Sequence, residues 1–155
     1  MTTETEDDPA ALARSIIEAN RYMTLGTADE GGQPWVSPVW FAHSGYRDFF
    51  WVSSPDAQHS RNIEARPEVN IVIFDSQVPP SRAKAVYVSA LADEVSDDEL
   101  EAGIRVFSRK SESGGLPAYS RADVREPARL RLYRAVAAQH FALGEGSQRI
   151  SVDPT

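Results

Sequence analysis

The sequence predicts a mainly β domain, a barrel of strands with helices at its periphery. Six runs rich in β-branched and aromatic residues lie at short spacing, separated by clusters of Gly, Pro, Asn, Asp and Ser. Stretches of helical periodicity are inserted between these runs rather than gathered at one end. The 155 residues, 41% hydrophobic and 25% charged, suit a single domain with a sizeable core, and no repeat or low-complexity block divides them. Residues 1–8 read as a disordered lead-in, 9–144 as the domain and 145–155 as a polar tail.

Each element has its own signal. Asp8 followed by Pro9 gives an N-cap and a first-turn proline, so a helix is expected over 10–20, with Leu12, Ile16 and Ile17 at helical spacing. Residues 22–27 (YMTLGT) read as the first strand, and Asp29-Glu30-Gly31-Gly32 as a hairpin turn. The second strand is 35–42 (WVSPVWFA). His43-Ser44-Gly45 then turns the chain into the third, 48–53 (DFFWVS). Ser54-Pro55 opens a helical segment over 54–66, which Pro67 ends. Strands follow at 69–74 (VNIVIF) and 85–94 (AVYVSALADE). An acidic-led helix spans 97–110, with Leu100, Ile104 and Phe107 on one face. A Gly-Ser-Pro loop and a helical turn over 122–125 lead into the last strand, 130–143 (LRLYRAVAAQHFAL).

Charge and composition exclude several classes. Sixteen Lys+Arg against 23 Asp+Glu leave a formal net charge of -7, which disfavours a general nucleic-acid binder. Only Lys84 and Lys110 are lysines; the other cations are arginines, whose forked donors suit carboxylates and phosphates. The absence of cysteine excludes disulfides, thiolate nucleophiles and Cys-ligated metals. His43, His59 and His140 have no metal-ligand spacing. No run reaches the ~20 apolar residues needed to cross a bilayer, and the acidic start is the reverse of a secretory signal. A soluble cytoplasmic protein with neither membrane nor nucleic-acid partners is expected.

Two strands break the usual alternation of one apolar and one polar face. In 35–42, Trp35, Val39 and Phe41 share one face while Val36, Pro38 and Trp40 share the other. In 48–53, Phe49, Phe50, Trp51 and Val52 repeat the pattern. One face of each can join the core; the other must meet a helix, a second subunit or a flat ligand. Pro38 lacks an N–H and belongs at an edge or a bulge. The backbone of Ser37, Pro38, Val39 and Trp40 is then free to face a heteroaromatic ring, or is simply an edge strand. Ser53 and Ser54 end a strand at a helix start, where free amides favour an anion. His59, Arg61 and Asn62 follow within two turns, as phosphate donors or as a solvated helix face. His43 and His140 could serve as acid–base groups, although lone histidines are more often packing or surface residues. Arg121, Arg125, Arg129, Arg131 and Arg134 read as ordinary ion pairing on an acidic surface, or as a substrate entrance.

The succession LGTADEGGQPWVSPVWF, DFFWVSSPDAQHSRNIEARPEVNIVIFD and AVYVSALADE resembles the flavin-binding split-barrel superfamily, whose eponym is pyridoxamine 5'-phosphate oxidase, over residues 10–143. The resemblance implies a six-stranded split β-barrel that forms homodimers and holds FMN in a groove at the subunit interface. It also implies an oxidoreductase that transfers a hydride to or from a small organic substrate. By position, Ser37, Pro38, Val39 and Trp40 would line the isoalloxazine ring, and Ser53 and Ser54 would lie near the phosphate and ribityl chain. His59, with Arg61 and Asn62 beside it, stands where the family carries a phosphate-binding lysine or arginine. Two positions depart from the oxidase itself. Ser37 replaces an arginine that grips the flavin phosphate, and Gln58-His59 replaces a basic pair. The C-terminal Arg and His pattern that binds the oxidase's substrate is also missing from 130–143, so genuine pyridoxamine phosphate oxidation is not expected. A deazaflavin in place of FMN, a non-catalytic flavin carrier or sensor, and a cofactor-free structural dimer are the alternatives.

Overall fold

The computed structural model describes residues 8–155; of the expected lead-in over 1–8, only Asp8 lies within them. The Asp8 carboxylate accepts from the Ala10 amide at 3.1 Å and Pro9 fills the first turn, so α1 (Pro9–Ala19) begins where cap and proline place it. The strands β1 (Tyr22–Ala28) and β2 (Pro34–Trp40) form a hairpin with Tyr22 opposite Trp40 and Ala28 opposite Pro34. After β2 come β3 (Ala42–Ser44), β4 (Asp48–Ser53), α2 (Gln58–Ala65), β5 (Glu68–Phe74) and β6 (Ala85–Glu94). The chain then forms α3 (Asp97–Ser113), β7 (Arg131–Leu143) and β8 (Arg149–Val152).

Every pairing is antiparallel, and the strands run in the order β2-β1-β5-β6-β7-β4-β3, with β8 attached to β7. β2 and β3 are separated in sequence by Phe41 alone, yet they occupy opposite ends of this path. The sheet therefore curls back on itself, and Phe41 steps across the open seam, its amide bonded to the Arg21 carbonyl at 3.2 Å. This is why the expected single strand over 35–42 is two strands. β7 reaches 13 residues because it serves two neighbours on one side, β4 along residues 131–136 and β8 along 140–143.

The barrel interior is filled by Met23, Leu25, Val39, Phe49, Trp51, Ile71 and Val88 among others, and α1 closes one side with Ala13 and Ile17. A second cluster lies outside the barrel, where Leu100, Ile104 and Phe107 of α3 pack on Phe50 and Leu132. Gly103 permits that approach: a Cβ there would stand 2.9 Å from Leu132 Cδ2 and 3.2 Å from Phe50 Cε1.

The mainly β barrel with peripheral helices is thus what the chain forms, with eight strands among the described residues where six were expected. The extra two come from the break at Phe41 and from β8. Residues 145–155, expected as a polar tail, include β8. β8 adds a backbone ladder to β7, Arg149 lies 4.1 Å over the Tyr87 ring, and Pro154 is buried. Its polar composition hid a strand whose pairing comes from the backbone. The helical segment expected from 54 starts later, because 54–57 form a turn closed by the Ala57 amide on the Ser54 carbonyl. Among the described residues, no helix is long and apolar enough to cross a membrane.

Candidate functional site

Strand parity sets what faces one end of the barrel. Val39 points into the core, so Ser37, two residues back, points the same way. On β4, Phe49 and Trp51 are interior and Ser53 continues their row; on β1, Met23 and Leu25 are followed by Thr27. At this end the interior faces change from apolar to hydroxyl, and α2 closes it. His59 Nε2 lies 2.8 Å from Ser53 Oγ, and its Nδ1 lies 3.3 Å from Ser37 Oγ. β2 and β4 do not pair with each other, so His59 ties the two sides of the seam together. Burial pushes the His59 pKa below its ordinary value, which suits a neutral ring with one donor and one acceptor nitrogen between two hydroxyls.

The other expected residues divide. Asn62 is 2% exposed and turned inward: its amide donates to Thr27 Oγ1 at 3.0 Å and accepts from Gln58 at 2.7 Å. It braces the barrel end and offers nothing outward. Arg61 is exposed, with Asp56 at 3.9 Å, a surface pair of little strength. Ser54 organises the turn, its hydroxyl accepting from the Asp56 amide at 3.1 Å and its carbonyl from Ser60 Oγ at 2.7 Å. α2 has Ala57 as its N-cap residue, so it has no side-chain cap, and no acidic residue stands in its first turn. Its first amides therefore lack the side-chain partner that usually satisfies them. Val39 has its side chain in the core, leaving only its backbone for a ligand. Pro38 sits opposite Thr24 on the outermost strand of the path, the edge position that its missing N–H suits.

Trp40 ends this strand in a cleft of about 610 Å³, whose walls include Arg21, Tyr22, Lys110, Leu116 and Tyr119. Its ring meets Phe107 edge-on at 5.2 Å, and Phe107 meets Tyr119 in the same way at 5.1 Å. Apart from Trp40, none of these residues stands out in the sequence as a site residue. They come from α1–β1, α3 and the loop after α3, and the second apolar face of the strand at Trp40 is the only local hint of them. A larger cleft of about 710 Å³ lies between α2 and the start of β7, with Ser60, Tyr133, Arg131 and Glu126 in its walls.

The arginine-rich segment is an ion-pair network. Arg121 reaches Asp97 at 3.1 Å and Glu101 at 3.3 Å, Arg125 reaches Asp97 at 2.9 Å and Glu94 at 3.2 Å, and Arg134 reaches Glu99 at 2.7 Å. Arg131 donates to the Ala128 carbonyl at 2.6 Å, with Glu126 and Glu94 just under 4 Å away; Arg129 has no such pair among the described residues. His43 and His140 both brace the turn between β3 and β4. His43 Nδ1 accepts from the Tyr46 amide at 3.2 Å, and His140 Nε2 donates to the Tyr46 carbonyl at 2.7 Å. Among the described residues, no group of three His, Cys, Asp or Glu side chains could hold a metal ion.

Residues 10–141 match the pyridoxamine 5'-phosphate oxidase family. No curated protein matches the chain in sequence. The fold is similar to that of a heme binding protein from Mycobacterium smegmatis, with a TM-score of 0.74 and 20% identity over 95% of this chain. This chain spans 58% of that protein. It is also similar to HutZ, the heme storage protein from Vibrio cholerae, with a TM-score of 0.63 and 24% identity over 83% of this chain and 89% of the other. An F420 reductase is similar as well, with a TM-score of 0.61 and 20% identity over 83% of this chain and 94% of the other. At these identities the three share a fold with this chain. By the match across most of its length and by its curled antiparallel sheet, the chain belongs to the pyridoxamine 5'-phosphate oxidase family of split barrels.

Proposed function

We propose that the chain is an FMN-binding oxidoreductase, acting as a homodimer on a small organic substrate and not on pyridoxamine phosphate. One observation supports this above the rest. The hydroxyls of Ser37 on β2 and Ser53 on β4 meet His59 beside an uncapped helix start, and the outer edge of β2 is unpaired among the described residues. This donor set fits a phosphate monoester held by hydroxyls, helix amides and one cation, Arg61, in place of a pair of basic side chains. When bound, the flavin supplies the hydride chemistry. The protein's part is to hold and orient it. Ser53, Ser54, the first amides of α2 and Arg61 take the phosphate end, and the free backbone of residues 37–40 takes the edge of the ring. The exposed side chains of Trp35 and Val36 are covered by the second copy.

The similarity to an F420 reductase makes a deazaflavin the second reading. The two are separated by titrating the dialysed protein with FMN and with the deazaflavin, with hemin as a third arm because two similar folds bind heme. Binding is followed by fluorescence or absorbance, and mass by sedimentation. Micromolar or tighter binding of FMN alone, on a dimer, is the expected result. Binding of only the deazaflavin replaces the cofactor, and binding of neither flavin removes the oxidoreductase reading.

A further inference from the structure

The cleft at Trp40 differs in charge from its neighbours. Four other clefts each carry carboxylates in their walls: Glu94 and Asp97 in one, Asp93 and Glu94 in another, Asp56 and Glu126 in a third, Asp153 in a fourth. The Trp40 cleft has Arg21 and Lys110, and no acidic side chain among the described residues. In a chain of net charge -7 that is an exception. Neither cation pairs with a carboxylate among the described residues, whereas Arg121, Arg125, Arg131 and Arg134 all do. The negative end of α3 is muted here. The carbonyls of Lys110, Ser111 and Glu112 already accept from the amides of Gly114, Gly115 and Leu116, and the Ser113 hydroxyl donates to Lys110.

The walls are also aromatic. Tyr22 is 61% exposed, and Trp40 and Tyr119 are each fixed edge-on against Phe107, so two rings are held in place before any ligand arrives. Trp40 lies three positions from Ser37, about 10 Å along an extended strand. We propose that this cleft is the substrate subsite, and that it selects a planar organic anion, an aromatic or heteroaromatic carboxylate, seated against Trp40 and Tyr119 and neutralised by Arg21 and Lys110. Calling the occupant a substrate rests on the reading of β2 as the cofactor strand; binding of the anion does not.

Calorimetry with 2-naphthoate and its neutral isostere 2-naphthamide tests this on the full chain, with FMN titrated separately. Naphthoate is expected to bind at least tenfold more tightly than the amide. The double variant Arg21→Gln/Lys110→Gln should abolish that preference while FMN affinity stays as in the wild type. Trp40→Leu, which keeps both cations, should weaken naphthoate and naphthamide together. Equal binding of the two probes, or an undiminished preference in the double variant, overturns the anion site. A double variant that loses FMN and naphthoate in parallel assigns the cleft to the cofactor and overturns the substrate assignment. If FMN fails to bind while naphthoate behaves as expected, the anion site stands and the flavin reading falls.

Discussion

On β4, Phe50 is 6% exposed and packs against α3, and Val52 joins the same cluster. On β2, the outward Val36 is 64% exposed, Trp35 is 49% exposed, and Pro38 also faces solvent. The two strands have equally apolar sequences on both faces, and α3 is what separates their fates. It lies across β3, β4 and the start of β7, where Gly103 lets it sit close, and on β2 it reaches only Trp40, leaving the outward Val36 and Pro38 uncovered among the described residues. An apolar face under a helix belongs to folding energetics. The same face left open on an edge strand is where another molecule can be met.

Truncating one residue on each strand should separate the two faces most clearly. Phe50→Ala should destabilise the protein by about 3–5 kcal/mol, the usual cost of emptying a buried aromatic site. Val36→Ser should change monomer stability by no more than about 0.5 kcal/mol. Urea denaturation read by circular dichroism decides, and similar losses at both positions would erase the distinction. The double change Trp35→Ser/Val36→Ser goes further: sedimentation should then show a monomer whose melting no longer depends on protein concentration and falls only by the stabilisation that association supplied.

A smaller effect is expected at the seam. Removing His59 and Arg61 together by alanine substitution should weaken FMN by about ten- to a hundredfold, or roughly 1.5–3 kcal/mol, one charge-assisted contact's worth. Fluorescence titration reads it; unchanged affinity would move the phosphate elsewhere.

The seam also predicts a pH dependence. Burial holds both His59 and His43 below their ordinary pKa, so the unfolded chain binds the proton more readily than the folded one. That contribution to stability is complete above the unfolded pKa of about 6.5, and it is lost as pH falls through and below that value. Melting at pH 7.5 and pH 5.0 should show the drop, and His59→Gln should shrink it. If the drop is identical in the variant, His59 is not part of it.

The smallest change belongs to the acidic surface. Arg121→Ala should cost at most about 1 kcal/mol, because its partners Asp97 and Glu101 are well exposed, and moderate salt should reduce even that.

Much of the fold was legible along the chain. Asp8-Pro9 set the start of α1, and the runs 48–53 and 85–94 coincide with β4 and β6 residue for residue, because side-chain alternation and capping are local properties. The doubled apolar faces of β2 and β4 were legible too, though not what would cover them. Of the site, Ser37, Ser53 and His59 were nameable one at a time, but their meeting was not, since it depends on closure across strands that never pair. Asn62 showed the reverse: a polar residue that reads as a ligand and is consumed inside the barrel end. β8 was hidden because a backbone ladder needs no distinctive side chains.

Which residues share a face, where elements begin, and that two strands carry one apolar face too many all follow from the order of residues along the chain. Packing alone settled that α3 covers the outer face of β4 and reaches only the Trp40 end of β2, and that Phe41 carries the chain across the seam. It alone brought Arg21, Trp40, Lys110 and Tyr119 to one cleft. Periodicity is fixed by neighbouring bonds. Which faces meet depends on long-range pairing such as Phe50 with Arg134, where burial must outweigh the entropy of closing the chain between them.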